Sequence, residues 1–194
     1  MKREDVFITS KLWNTQHRPE HVEAALDDCL QELGLEYLDL YLMHFPVAFD
    51  ESSSPNTTMM PVKDDGDVKI LDSVSIVDTW KAMTKLDKNK ARAIGVSNFT
   101  TQYLDSIIKA VDVVPSANQV ERHPLLQQPE LVEYCAQKKI HITAYSAFGN
   151  NMFNEPLLIT HPKIVAIADK LNATPAQVMS VSLRSPRSKS TDLG

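Results

Sequence analysis

A lysine, a histidine, a Ser-Asn pair, a glutamine and a Tyr-Ser pair stand at corresponding places along this chain, in or just after a β-prone run. Lys11 comes after Val6-Phe7-Ile8-Thr9, and His44 ends the nearly continuous apolar run from Tyr37 to Met43. Ser97 and Asn98 close the run Ala93 to Val96, Gln119 lies within Ser116 to Glu121, and Tyr145-Ser146 ends the run that starts at Ile140. Together they offer a cation, an imidazole that titrates near neutrality, hydroxyls, amides and an aromatic ring. Those groups suit holding a small polar molecule and moving a proton. Each also has a plain structural reading. Lys11 could be solvated past a strand end, and His44 could be a hydrogen-bonded core histidine. Ser97 and Asn98 could cap the next helix, Gln119 could be a strand amide with partners, and Tyr145 could be core. Their placement on successive strands favours a site, because a parallel barrel brings its carboxyl strand ends to one mouth. Lys11, His44, Asn98, Gln119 and Tyr145 are expected to be neighbours there.

The elements that must position them follow from periodicity. Pro19 suits a first helical position, and Val22, Ala25, Leu26, Cys29, Leu30 and Leu33 form one apolar stripe that Gly34 ends. Ser75 and Asp78 read as a capping box before Val77, Trp80, Met83 and Leu86. Thr100 caps a helix carrying Leu104, Ile107, Ile108 and Val111. Pro129, Pro162 and Thr174-Pro175 open three more. Residues 47 to 74 form a long polar loop, the length of a lid or specificity loop. Its acidic cluster, Asp64, Asp65 and Asp67, lacks the spacing of a calcium loop, and no metal is expected. His17 and His21 are not expected to share a helical face, which argues against zinc.

Strand-helix alternation implies parallel strands with crossover helices. The chain's five glycines form neither G-x-G-x-x-G nor a phosphate loop, which disfavours a doubly wound dinucleotide domain. The expected fold class is therefore α/β, a (β/α)8 TIM-barrel type. It is incomplete, with about five of the eight strands. Residues 1–183 are read as this partial barrel and 184–194 as a disordered, divergent tail.

The 194 residues suffice for a real core, with 43% hydrophobic and 23% charged residues. A net charge of -5 gives no sign of nucleic-acid binding, and no apolar run is long enough to span a membrane. Cys29 and Cys135 sit at apolar helical positions and read as reduced thiols, with a cytoplasmic location expected.

At these residues the chain resembles the aldo-keto reductase superfamily. The resemblance rests on Phe7-Ile8-Thr9-Ser10-Lys11-Leu12-Trp13, Leu38-Asp39-Leu40-Tyr41-Leu42-Met43-His44, Ile94-Gly95-Val96-Ser97-Asn98-Phe99, Asn118-Gln119-Val120-Glu121-Arg122-His123-Pro124 and Thr143-Ala144-Tyr145-Ser146. It extends to about Val178, and Gln119 through Gln128 looks like a fungal or yeast member. The resemblance implies a barrel enzyme that reduces aldehydes and ketones with NADPH. Lys11 would be the catalytic lysine that lowers the pKa of a proton-donating tyrosine. His44 would orient the substrate carbonyl. Ser97, Asn98 and Gln119 would hold the nicotinamide carboxamide, Tyr145 would stack on the ring, and Ser146 would lie beside the cofactor.

The family's proton-donating tyrosine and its aspartate partner precede the lysine strand, and this sequence starts at Met1, just before that strand. The chain is therefore expected to lack both and to turn over slowly. After Val178 it leaves the family pattern, so Lys189-Ser190 is not assigned the 2'-phosphate role. The partners expected are a small aldehyde or ketone, with no nucleic acid and no membrane, and the oligomeric state is left open. The alternative is a non-catalytic nucleotide- or partner-binding remnant, or a truncated product without stable function.

Overall fold

In the computed structural model, residues 1–50, 59–149 and 156–184 are described. Five strands alternate with helices: β1 (Thr9–Leu12), α1 (Val22–Leu33), β2 (Leu40–Met43), α2 (Ile76–Met83), β3 (Ile94–Ser97), α3 (Thr101–Val111), β4 (Ala117–Glu121), α4 (Pro129–Lys138), β5 (His141–Tyr145), α5 (Pro162–Leu171) and α6 (Pro175–Arg184). The strands lie in the order β1-β2-β3-β4-β5, the alternating parallel arrangement expected of a partial βα barrel. The chain divides into two units. One comprises Met1–Asn118 with Glu133–Ile142, and the other Gln119–Val132 with Thr143–Gly194.

In the first unit, Lys11 is in register with Leu42, and Leu42 with Gly95. Alternation therefore places Thr9, Lys11, Leu40, Leu42 and Gly95 on one face of the sheet. Leu40, Leu42 and Ala117 form a buried cluster there, with Ala93 against it. The opposite face carries Ser10, Leu12, Tyr41, Met43 and Val96 and is covered by helices. Val22, Leu26 and Leu30 turn inward from α1, and the Cys29 thiol meets Ser10 Oγ at 3.1 Å. Trp80 and Met83 of α2 and Leu104 and Ile107 of α3 are fully buried.

The helix ends follow their local chemistry. Gly34, in the left-handed region at φ 63°, donates to Gln31 O, and Leu35 N reaches back to Leu30 O at 2.9 Å, closing α1. Ser75 Oγ accepts from Asp78 N at the start of α2, and Thr100 Oγ1 accepts from Tyr103 N at the start of α3. In the second unit, Thr174 and Gln177 exchange side-chain and backbone bonds at 2.8 and 3.2 Å to start α6.

Two element starts differ from those expected from the sequence, and the long loop carries pairing of its own. β1 begins at Thr9 rather than Val6, and Phe7 is 71% exposed. The reason is Asp39: its Oδ2 takes the Ile8 N–H at 2.9 Å, so that donor is lost to the ladder and pairing starts at Thr9 with Leu40. α1 begins at Val22 because residues 18–21 form a turn, with His21 N bonded to Arg18 O. The long loop is not structureless where described. Phe49 pairs with Ile70 and Val62 with Val68 in antiparallel bridges. The expected tail lies, from residue 185, outside the described residues.

Asp39 also anchors the amino ends of the strands. Arg3 Nη2 bonds Asp39 Oδ2 at 2.8 Å and Tyr37 O at 2.9 Å, and Arg92 Nη1 lies 3.4 Å from Oδ1. The Tyr37 ring is held between the two guanidiniums, 3.9 Å from Arg3 Cζ and 3.5 Å from Arg92 Cζ. Burial pushes the Asp39 carboxyl up, but the Ile8 N–H and the Arg3 and Arg92 charges outweigh it and hold the pKa below the ordinary value. This stabilisation is therefore full above the unfolded pKa and is lost as pH falls through the folded one. Asp39→Asn is expected to lower the urea midpoint at neutral pH and to flatten its fall in acid. An unchanged midpoint together with an unchanged acid limb would count against this staple.

Candidate active site

Lys11 is half-buried on the inner face of β1, one residue before the strand's end. Among the described residues its ammonium makes no hydrogen bond or ion pair. His44 follows β2, and its N–H continues the ladder to Leu12 O at 3.1 Å. Its ring meets the Trp13 edge with centroids 4.9 Å apart and stacks on Phe45 at 4.9 Å and 10°. Trp13 also packs edge-on against Phe45 and Phe49, and its Nε1 donates to Met59 O at 2.6 Å. An aromatic wall thus forms beside the imidazole and draws in the long loop. Burial lowers the His44 pKa, and the Lys11 cation lowers it further. The imidazole is held neutral at pH values where an ordinary histidine is partly charged.

β3 delivers the polar pair to the same end. Ser97 is 1% exposed and Asn98 half-buried. Asn98 takes a left-handed backbone at φ 63°, which asparagine tolerates better than most residues with a Cβ. Its Nδ2 donates to His44 O at 2.9 Å and lies 3.2 Å from Ser97 Oγ. His44, Ser97 and Asn98 are thus brought together, with Lys11 acting on His44 through its charge.

Gln119, Tyr145 and Ser146 lie in the second unit. Gln119 is half-buried on β4. Tyr145 ends β5, half-buried; its carbonyl accepts from Arg122 N at 3.3 Å. Burial raises its phenol pKa, and the Glu121 charge adds to the rise. Ser146 has φ 49° and accepts from Gly149 N at 2.8 Å, turning the chain away from the strand. Arg122 braces this unit, donating to Gln127 O and Leu183 O at 2.9 and 2.8 Å.

His17 has more weight than its spacing from His21 suggested. It is 1% exposed, and buried Thr79 donates to its carbonyl at 2.7 Å. Burial is the main cause that pushes its pKa down from 6.5 to about 4; donation to the Leu12 carbonyl opposes this, and nearby His44 reinforces it. Protonation therefore favours the unfolded chain. Stability is full above about 6.5 and falls until the pH reaches the folded value. Between those limits the loss is expected to be about 2 to 3 kcal/mol. Urea unfolding across this range should show it, and His17→Gln should remove most of the slope. An equal slope in the variant would exclude His17 as its source.

Shape alone would misplace the site. A surface cavity of about 330 Å³ is lined by Pro19, Val22, Asp78 and Lys81 among others, and none of the candidate residues borders it. Trp13 and Asn118 stand within the motifs quoted above without a role of their own. Trp13 at the end of β1 could have been found from strand alternation, whereas the partner of Asn118 lies 19 residues away.

Comparison with known proteins bears on the family and the fold. The pattern of the aldo/keto reductase family matches residues 1–178. The chain is 56% identical over 186 residues to a D/L-glyceraldehyde reductase of Hypocrea jecorina, covering 92% of this chain and 55% of that protein. It is 41% identical over 198 residues to an NAD(P)H-dependent D-xylose reductase of Candida tropicalis, covering 92% and 59% respectively. The solved aldose reductase of Schistosoma japonicum superposes with a TM-score of 0.82 at 40% identity, over 92% of this chain and 56% of that one. The chain spans about half the length of the curated relatives it matches.

Proposed function

The chain belongs to the aldo/keto reductase family, and on that premise we propose that it serves an NADPH-dependent reduction of small aldehydes and ketones to alcohols. The observation that carries this reading is His44: an imidazole held neutral by burial and by Lys11, bonded through its backbone to Asn98 at the carboxyl end of parallel strands. A neutral imidazole can donate an N–H bond to a carbonyl oxygen and fix its orientation. The Lys11 cation favours negative charge developing nearby, and in the family it acts through a tyrosine. The substrate class follows the relatives' names, so glyceraldehyde and xylose are the first to try.

The donor set suits the cofactor. A carboxamide both donates and accepts, as do the Ser97 hydroxyl and the Asn98 amide. Ser97 and Asn98 are proposed to hold the nicotinamide carboxamide. By their motifs, Gln119 is proposed for the same carboxamide, the Tyr145 ring for stacking and Ser146 for a place beside the cofactor. The bound cofactor supplies the hydride. The residues here orient the carbonyl, receive the carboxamide and bias the proton's arrival at oxygen. A cytoplasmic location is proposed with this reading. Among the described residues no helix is long and apolar enough to cross a membrane.

Proton donation is the weak step for the chain by itself. Tyr41 sits on the outer face, 1% exposed, with its pKa driven upward chiefly by burial. Tyr37 is held between Arg3 and Arg92 at the other strand end. Turnover is therefore proposed to be slow, below about 1 s⁻¹. The test is NADPH oxidation by the purified chain with D-glyceraldehyde, L-glyceraldehyde and D-xylose. Slow oxidation that disappears in His44→Ala supports the reading. NADPH binding without oxidation of any substrate points instead to a non-catalytic nucleotide binder, and absence of both overturns the proposal.

A further inference from the structure

We propose that Asn118 is a positioning residue that sets the Ser97–Asn98 turn, an inference that rests on the cofactor role proposed above for that pair. Asn118 lies on β4 with 0% exposure. Its Nδ2 donates to Phe99 O at 2.8 Å, and its Oδ1 accepts from Phe99 N at 3.4 Å. One side-chain amide therefore clasps both backbone groups of one residue.

Phe99 is the middle of a three-residue link. Asn98 precedes it in the left-handed conformation, and Thr100 follows as the cap of α3. A residue with a Cβ keeps such a backbone only when its surroundings over-determine it. Here the surroundings include one side-chain bond on one side of the strained residue and two backbone clasps on the other. The Asn98 Nδ2 is tied to His44 O on one side, and Phe99 is tied to Asn118 on the other. Releasing the second lets Asn98 relax, draws its amide from His44 O, and moves the Ser97 hydroxyl with it. Asn118 touches neither His44 nor the proposed carboxamide position in this scheme; it acts through Phe99.

Asn118→Asp keeps size and acceptor but turns the donor that meets Phe99 O into a second acceptor. Should that variant not fold, Asn118→Ser, smaller and still able to make one bond, replaces it. Amide hydrogen exchange by NMR on the labelled full chain reads the turn directly. Protection at Asn98, Phe99 and the Asn98 side-chain amide is expected to fall about tenfold or more, with β1 and β2 at their wild-type values. The dissociation constant for NADPH is expected to rise about tenfold. Loss of protection spread evenly over the strands would make Asn118 a fold residue only and overturn the proposal. So would unchanged exchange at the turn, or an NADPH dissociation constant equal to that of the wild-type chain. If the wild-type chain binds no NADPH, the cofactor reading fails. The exchange data then still decide whether Asn118 holds the turn, since loss confined to it upholds that hold and any other pattern overturns it.

Discussion

Gly95→Val is expected to destabilise the chain by about 3 kcal/mol or more. Gly95 sits in the middle of β3, in register with Leu42. A Cβ there would stand 2.6 Å from Ala117 O, 2.8 Å from Leu42 Cδ2 and 3.1 Å from Ala117 N. Leu42 could turn aside, but two of the three neighbours are backbone atoms of β4, which cannot. The strands would have to part where Ser116 N reaches Ile94 O at 2.9 Å. Even Gly95→Ala meets the same first carbon, so it should lose most of what the valine loses. Urea unfolding followed by circular dichroism gives the comparison. A Gly95→Ala midpoint within experimental error of wild type would show that β3 and β4 do not approach this closely. Because Ser97 lies two residues beyond on the same strand, the variants should also weaken whatever the Ser97–Asn98 pair binds.

The second large effect is on chemistry. His44→Ala is expected to reduce carbonyl reduction by about 10²- to 10⁴-fold, with the fold retained, since the ring packs at the strand end against Trp13 and Phe45 rather than in the core. Lys11→Met separates the two residues' roles. The Lys11 charge is one of the two causes that lower the His44 pKa, so removing it raises that pKa; burial, the larger cause, remains, so the value stays below that of an ordinary histidine. In the carbonyl-orienting scheme proposed above the neutral ring is the working form, so reduction is expected to fall as pH drops through its pKa. In Lys11→Met the acid limb should therefore lie at higher pH than in wild type. NMR titration of the His44 ring measures the same shift without turnover. A His44 midpoint that does not move in Lys11→Met would mean that the two side chains are not electrically coupled, and the carbonyl-orienting scheme would lose its support.

The sequence by itself determined the parts governed by near neighbours. Strand-helix alternation follows from local hydrophobic period, which also placed α5 at Pro162–Leu171 and opened α4 at Pro129. Gly34, Ser75 and Thr100 were readable as caps because a cap and its partner lie within one turn of helix. Lys11, His44 and Ser97–Asn98 were readable because each sits near the end of a strand-forming run. What only the tertiary structure decided involves partners far apart along the chain. Asp39 takes the Ile8 N–H across 31 residues and so moves the start of β1. Thr79 meets His17 across 62 residues in a buried pocket that period alone could not show. Asn98 reaches His44 O across 54 residues, which turns two separate strand ends into one cluster. The neutrality of His44 likewise depends on burial and on a lysine from another strand. Such long-range bonds leave no periodic trace in either segment, since each partner's local pattern is satisfied equally well without the other.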